Sequence, residues 1–212
     1  LVDTAWEIAY DQFVLPASGK VWNGKPSEAG KTTFEFDENT GALKSLCLDG
    51  EELLASPVTI SLFRPATDND NRDRMGAKLW RKAGLHTLTQ KVVSLKESKT
   101  SATAQVNILN VTGKKVGDAT LEYTLNHNGS LKVQTTFQPD TTWVKSIARL
   151  GLTFEMNDTY GNVTYLGRGE HETYIDRNQS GKIGIYTTTP EKMFHYYVIP
   201  QSTGNRTDVR WV

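Results

Sequence analysis

From Lys31 onward the chain is a succession of short runs in which apolar and polar residues alternate, broken by turn residues roughly every 8 to 12 positions. The runs read TTFEF, ALKSLCL, LLASPVTISLF, HTLTQKVVSL, TSATAQVNILNV, ATLEYTLNH, SLKVQTTF, SIARLGLTFEM, NVTYLG, KIGIYTT, FHYYVI and TDVRWV. A period of two sends successive side chains to opposite faces, so each run buries one face and needs neighbouring strands to do so. Helical stretches do not separate the runs, as they would in βαβ units. The pattern therefore predicts an all-β, antiparallel sandwich.

The turns support this reading. DENTG places Gly41 where a hairpin needs positive φ, and NHNGS, VTGKKVGD, DTYGN and NQSGK supply Asn, Asp or Gly in the same way. AKLWRKAG is predicted as a short helix ended by Gly84. Residues 1 to about 26 differ, with Trp6, Ile8 and Tyr10 alternating before the turn-rich PASGKVWNGKPSEAGK. Residues 1–30 read as a linker strand from a preceding domain and residues 31–212 as the sandwich.

Composition narrows the function. With 24 Lys+Arg against 24 Asp+Glu in 212 residues, no long-range field exists to attract a phosphate backbone, so nucleic acid is not an expected partner. The mean hydropathy is −0.47, and no run reaches the roughly 18 to 20 apolar residues that span a bilayer, so no membrane association is expected. Composition leaves the cellular location open. Cys47, between Leu46 and Leu48, reads as a small core residue and forms no internal disulfide, being the sole cysteine. A start at Leu1 and an end inside the strand-like TDVRWV suggest a piece of a longer protein.

The four histidines, His86, His127, His171 and His195, show no zinc-ligand spacing, and no G-x-S-x-G is present. Two segments stand out. In RPATDND, Asp68, Asn69 and Asp70 gather oxygens that suit sugar hydroxyls or a hard cation, although composition alone favours a set of Asx turns capping a loop. In YLGRGEHETYIDR, Arg168, Glu170, His171, Glu172, Asp176 and Arg177 crowd one short loop, as an acid/base pair with histidine or as a clamp in which arginines hold carboxylates. Trp22, Trp80, Trp143 and Trp211 are either core or sugar-stacking residues.

These two segments resemble the Arg-Ala-Pro-Thr-Asp-Asn-Asp and Leu-Gly-Arg-Gly-Pro-His-Glu-Asn-Tyr-Pro-Asp-Arg stretches of the C-terminal domain of large bacterial β-galactosidases related to the lac-operon enzyme. ARLGL, YYVIPQSTGNRTDVRW and FDENTGALKSLCLDGEELL add matches in the same order, covering nearly everything from Thr32 onward. Pro65-Ala66 reverses the usual order, and Glu170 and Ile175 stand where the family usually has prolines.

The resemblance implies a large antiparallel supersandwich of the galactose-mutarotase type, truncated at its C-terminus so that it lacks its final strands and exposes sheet edges that invite pairing, and a parent that hydrolyses terminal β-D-galactosides. The retaining mechanism it implies uses two glutamates carried on a TIM-barrel domain. It places no catalytic residue here. It makes Asp68, Asn69 and Asp70 the anchor of a cleft-edge loop that continues through Asn71, Arg72, Asp73 and Arg74 to about Lys78. Arg168, Glu172, Tyr174, Asp176 and Arg177 become a structural clamp. No cofactor is implied for this segment, and Mg and Na ions are implied for the parent. The remaining domains of the parent and a galactoside are the implied partners, with homo-oligomerisation left open. The alternatives are a non-catalytic carbohydrate-binding module and an aldose 1-epimerase, the latter with Glu172 or Glu170 as base and His171 or His195 as acid.

Overall fold

A computed structural model describes Gln12, residues 31–71 and residues 76–212. The expected linker strand, residues 1–30, lies outside the described residues apart from Gln12, and Trp22 lies outside them with it. The chain divides into two units, one of Lys25–Tyr160 with Ile199–Ser202, the other of Leu1–Gly24, Gly161–Val198 and Thr203–Val212.

The strands of the larger unit are β1 (Thr32–Phe36), β2 (Leu43–Leu48), β3 (Glu51–Glu52), β4 (Leu54–Ser61), β5 (Leu88–Glu97), β6 (Ser101–Asn110), β7 (Lys115–Leu125), β8 (Leu131–Pro139) and β9 (Gly151–Met156). They form two antiparallel sheets, one ordered β1-β2-β4-β9 with β3 on β2, the other a β5-β6-β7-β8 meander. This is the all-β antiparallel sandwich that the strand spacing predicts.

The alternation of β6 and β7 builds half of the core. Ala102, Ala104, Val106 and Ile108 stand opposite Tyr123, Leu121, Ala119 and Gly117, so each cross-strand pair sets a large side chain against a small one. Facing them from the other sheet are Phe36, Leu43, Val58 and Ile60, all buried, and the Phe36 and Tyr123 rings meet edge to face at 4.8 Å. Gly117 permits the closest approach: a Cβ there would lie 2.4 Å from the Gln138 carbonyl oxygen and 2.7 Å from the Phe137 ring. Gln90 is buried and joins the sheets, its Oε1 accepting from the Ile60 amide at 2.7 Å and its Nε2 donating to the Thr40 carbonyl at 3.3 Å.

The β1–β2 turn forms as predicted, with Gly41 at φ 66° and the Asp37 carboxylate accepting from the Asn39 and Thr40 amides. The predicted helix also forms, as α1 (Gly76–Lys82), with Gly84 at φ 70° beyond its end. It buries Trp80, whose Nε1 donates to Ser146 Oγ at 3.0 Å. Buried Asn110 donates to the Ala83 carbonyl and accepts from the Thr112 and Lys114 amides, tying the α1 exit to the β6–β7 turn.

The smaller unit is a hairpin of β10 (Val163–Gly169) and β11 (Lys182–Thr188), followed by the single turn α2 (Pro190–Met193) capped by the Thr189 hydroxyl. Here two of the predicted strands fail. FHYYVI is irregular, its His195 amide donating to the Thr203 hydroxyl instead of a strand carbonyl, and its Tyr196 and Val198 side chains lie open to solvent. TDVRWV runs beside β10 without forming a regular ladder: a bridge joins Trp211 to Leu166, and the Arg168 amide donates to the Thr207 carbonyl at 3.0 Å. Alternation states which face a residue would take but supplies no partner strand, and the ladder decides. Cys47 also departs from the core reading. It is half-buried on β2, its thiol facing the Glu52 carboxylate at 3.4 Å.

Candidate functional site

In the larger unit, RPATDND folds back on itself after β4. The Asp70 carboxylate accepts from Arg64 Nη1 at 2.6 Å and Nη2 at 3.3 Å, from the Thr67 amide at 2.7 Å and from the Thr67 hydroxyl at 2.8 Å. Burial alone would raise this carboxyl, but the guanidinium and the two Thr67 donors outweigh it and hold it below the ordinary carboxylate range. Arg64 in turn lies over the Trp80 ring at 5.3 Å, so a core tryptophan seats the arginine that seats the aspartate.

Asn69 opens a single 3-10 turn, Asn69–Asn71. Asn71 donates from Nδ2 to the Thr67 carbonyl and accepts from Arg81 of α1 at 3.5 Å. Asp68 participates through its backbone, its amide donating to Gln201 Oε1 at 2.9 Å. Beside this turn is a cavity of about 230 Å³ lined by Phe63, Pro65, Ala66, Asn71, Arg81, Pro200 and Gln201. Its apolar floor and amide and guanidinium rim are chemically suited to a sugar ring. Arg72, Asp73 and Arg74 lie outside the described residues.

In the smaller unit, the loop after β10 surrounds Glu172, which is buried. Its carboxylate accepts from Arg177 Nη2 at 2.6 Å, from the Tyr197 hydroxyl and from the Gly204 amide at 2.8 Å. Burial pushes this carboxyl up, yet the Tyr197, Arg177 and Gly204 donors together keep it lowered. Arg177 stacks on Tyr174 at 4.7 Å. Thr173, fully buried, exchanges hydrogen bonds with Asn205 and Thr207, knitting the loop to the final segment.

The structure thus brings together three of the five residues grouped from the sequence: Glu172, Tyr174 and Arg177. Arg168 pairs elsewhere, with Asp208 and the Gly181 carbonyl, and Asp176 is exposed and makes no described ion pair. His171 is exposed and bonds Ser180, and His195 is exposed with its ring 4.5 Å from that of Tyr197; neither shares a described hydrogen bond with Glu172. Sequence reasoning missed Tyr197, Gly204, Arg206 and Asp208, all within YYVIPQSTGNRTDVRW. Its concentration of Arg, Asn, Thr and Asp was the available signal.

Trp143 is half-buried under Lys114 Nζ at 3.9 Å, its Nε1 donating to the Lys115 carbonyl, while Trp211 is exposed. Among the described residues no group of three or more His, Cys, Asp or Glu side chains is placed to hold a metal ion.

A family model described as "Beta galactosidase small chain" matches residues 28–212. The chain is 31% identical to a β-galactosidase of Priestia megaterium, over 99% of its own length and 22% of that protein. It is 28% identical to a β-galactosidase of Kluyveromyces lactis over 97% of the chain and 22% of the relative, and 27% identical to one of Yersinia enterocolitica over 82% and 17%. The chain therefore spans about a fifth of the length of the curated relatives it matches.

Proposed function

The chain belongs to the family of β-galactosidase small chains, and from that premise we propose that it is the non-catalytic wall of a β-galactoside cleft whose catalytic glutamates lie elsewhere in the parent enzyme. The parent cleaves terminal β-D-galactosides with retention, one glutamate protonating the leaving oxygen and the other forming the glycosyl–enzyme bond. The chain's partners are the remaining domains of that enzyme. The turn around Asp70 and the adjoining cavity give the cleft its edge, and the Glu172 network braces the loop of the smaller unit.

The observation that carries this reading is that the site carboxylates are taken up within the fold, Asp70 by Arg64 and Thr67 and Glu172 by Arg177, Tyr197 and Gly204. Asp37, Glu52, Asp70, Asp140, Glu172 and Glu191 are the displaced ones among the described residues, and every one is lowered. A glycosidase acid must instead be raised so as to hold its proton near neutrality. Glu52 shows the contrast most sharply: the Ser45 hydroxyl and the Leu46 and Leu54 amides bring it down to about 2.

The buried Glu172 is the strongest rival for the acid. In the intact enzyme, Glu172→Gln keeps one acceptor oxygen, for Tyr197 or for Gly204 but not both, and is expected to leave kcat within about fivefold of the parent value. Removal of a true general acid costs about 10²–10⁴-fold, and a loss of that size in a folded variant would overturn the assignment.

A further inference from the structure

The segment Ile199–Ser202 clusters with the larger unit although its flanking residues belong to the smaller one. Two bonds hold it there. The Ser202 amide donates to the Ala66 carbonyl at 3.0 Å, and Gln201 Oε1 accepts from the Asp68 amide at 2.9 Å. Ala66 and Ser202 are both buried, so the first bond is a fixed post, while the second reaches outward along the turn. The side chain of Gln201 thus continues, by one rung, the pairing that the Ser202 backbone begins.

That rung falls at a place the other anchors leave open. Asp70 satisfies the Thr67 amide and hydroxyl, and Arg81 holds Asn71. The Asp68 amide between them is taken by neither. It points to Gln201, which with Pro200 also walls the cavity beside Asn71 and Arg81.

We propose that Gln201 is a positioning residue for galactoside binding: its carboxamide oxygen latches Asp68 and sets where the cleft-edge turn stands. This rests on the reading of that turn as the cleft edge. The role requires an acceptor at Oε1 and nothing else of the side chain. Gln201→Glu therefore preserves it, and Gln201→Leu, which ends at Cδ without an acceptor, abolishes it.

The test uses the intact β-galactosidase. In Gln201→Leu, exchange of the Asp68 amide is expected to quicken about tenfold while that of the Ser202 amide is unchanged, since its own acceptor is untouched. KM for a nitrophenyl β-galactoside should rise about fivefold with kcat within twofold, the signature of lost binding common to ground and transition states. Gln201→Glu should restore both readouts. An unchanged Asp68 amide, or equal losses in the Leu and Glu variants, overturns the latch. Faster Asp68 exchange with an unchanged KM overturns the positioning role. If Asp70→Ala also leaves KM unchanged, the fault lies in the cleft-edge reading itself; if Asp70→Ala raises KM, it lies with Gln201 alone.

Discussion

Replacing Arg177 with methionine is expected to lower the hydrogen-exchange protection of the Thr173 and Gly204 amides by about 30- to 100-fold at neutral pH, equivalent to about 2–3 kcal/mol of local stability. Removing one partner of a buried pair leaves the other as an uncompensated charge, which costs about 3–5 kcal/mol when both are deep. The Glu172 side chain is 9% exposed but Arg177 is 46% exposed, so solvent screening brings the cost below that range. The Gly204 amide and the Tyr197 hydroxyl still solvate part of the carboxylate.

The pH dependence fixes the sign. Glu172 is lowered in the folded chain, so its contribution is present in full above the unfolded carboxyl value and fades as pH falls through the folded one. The methionine variant loses the donor that holds the carboxyl down, so its penalty is largest near pH 7 and shrinks below about pH 4, where the carboxyl is protonated in the unfolded chain as well. Equal protection in the two proteins at pH 7 would show that the pair does not brace the loop.

Asp70→Ala in the intact enzyme is expected to reduce kcat/KM for a β-galactoside by about 10²-fold, with most of the loss in KM. Four hydrogen bonds converge on this carboxylate, and its removal strands the Thr67 amide and the Arg64 guanidinium in one step. Arg64 then keeps its seat on Trp80 without an anion to hold. A displaced turn costs binding, and shifts of about 1 Å remote from the chemistry are enough for losses of that order. Asp70→Asn retains an acceptor for Thr67 but not the charge for Arg64, and should fall between. Steady-state kinetics within twofold of the parent value for Asp70→Ala would remove the turn from the cleft.

What the sequence reveals here follows the range of the interaction. TTFEF, TSATAQVNILNV and ATLEYTLNH are legible because each buries one face against a neighbour a short turn away, and Gly41 and Gly84 mark local turns that only a permissive backbone makes. FHYYVI carries the same alternation and is no strand: its Phe194 amide donates to the Glu191 carbonyl and its His195 amide to the Thr203 hydroxyl, and neither joins a ladder. The sites divide in the same way. Arg64 and Asp70 lie six positions apart and Glu172 and Arg177 five, so composition alone brings them to notice. Gln201 and Asp68 are separated by 133 positions, and Tyr197 and Glu172 by 25. No local pattern announces partners joined only by the fold, and Arg168 illustrates the converse, leaving its sequence neighbours for Asp208 forty positions away.

The central claim is that this chain shapes a galactoside cleft and contributes no catalytic carboxylate to it. A 2-deoxy-2-fluoro β-galactoside with a good leaving group traps the glycosyl–enzyme intermediate of a retaining enzyme, and peptide mass spectrometry then locates the labelled residue. Applied to the intact β-galactosidase, it should mark one glutamate outside residues 1–212 and leave Glu172, Glu170 and Asp70 unmodified. A label on any carboxylate within residues 1–212 would contradict the account.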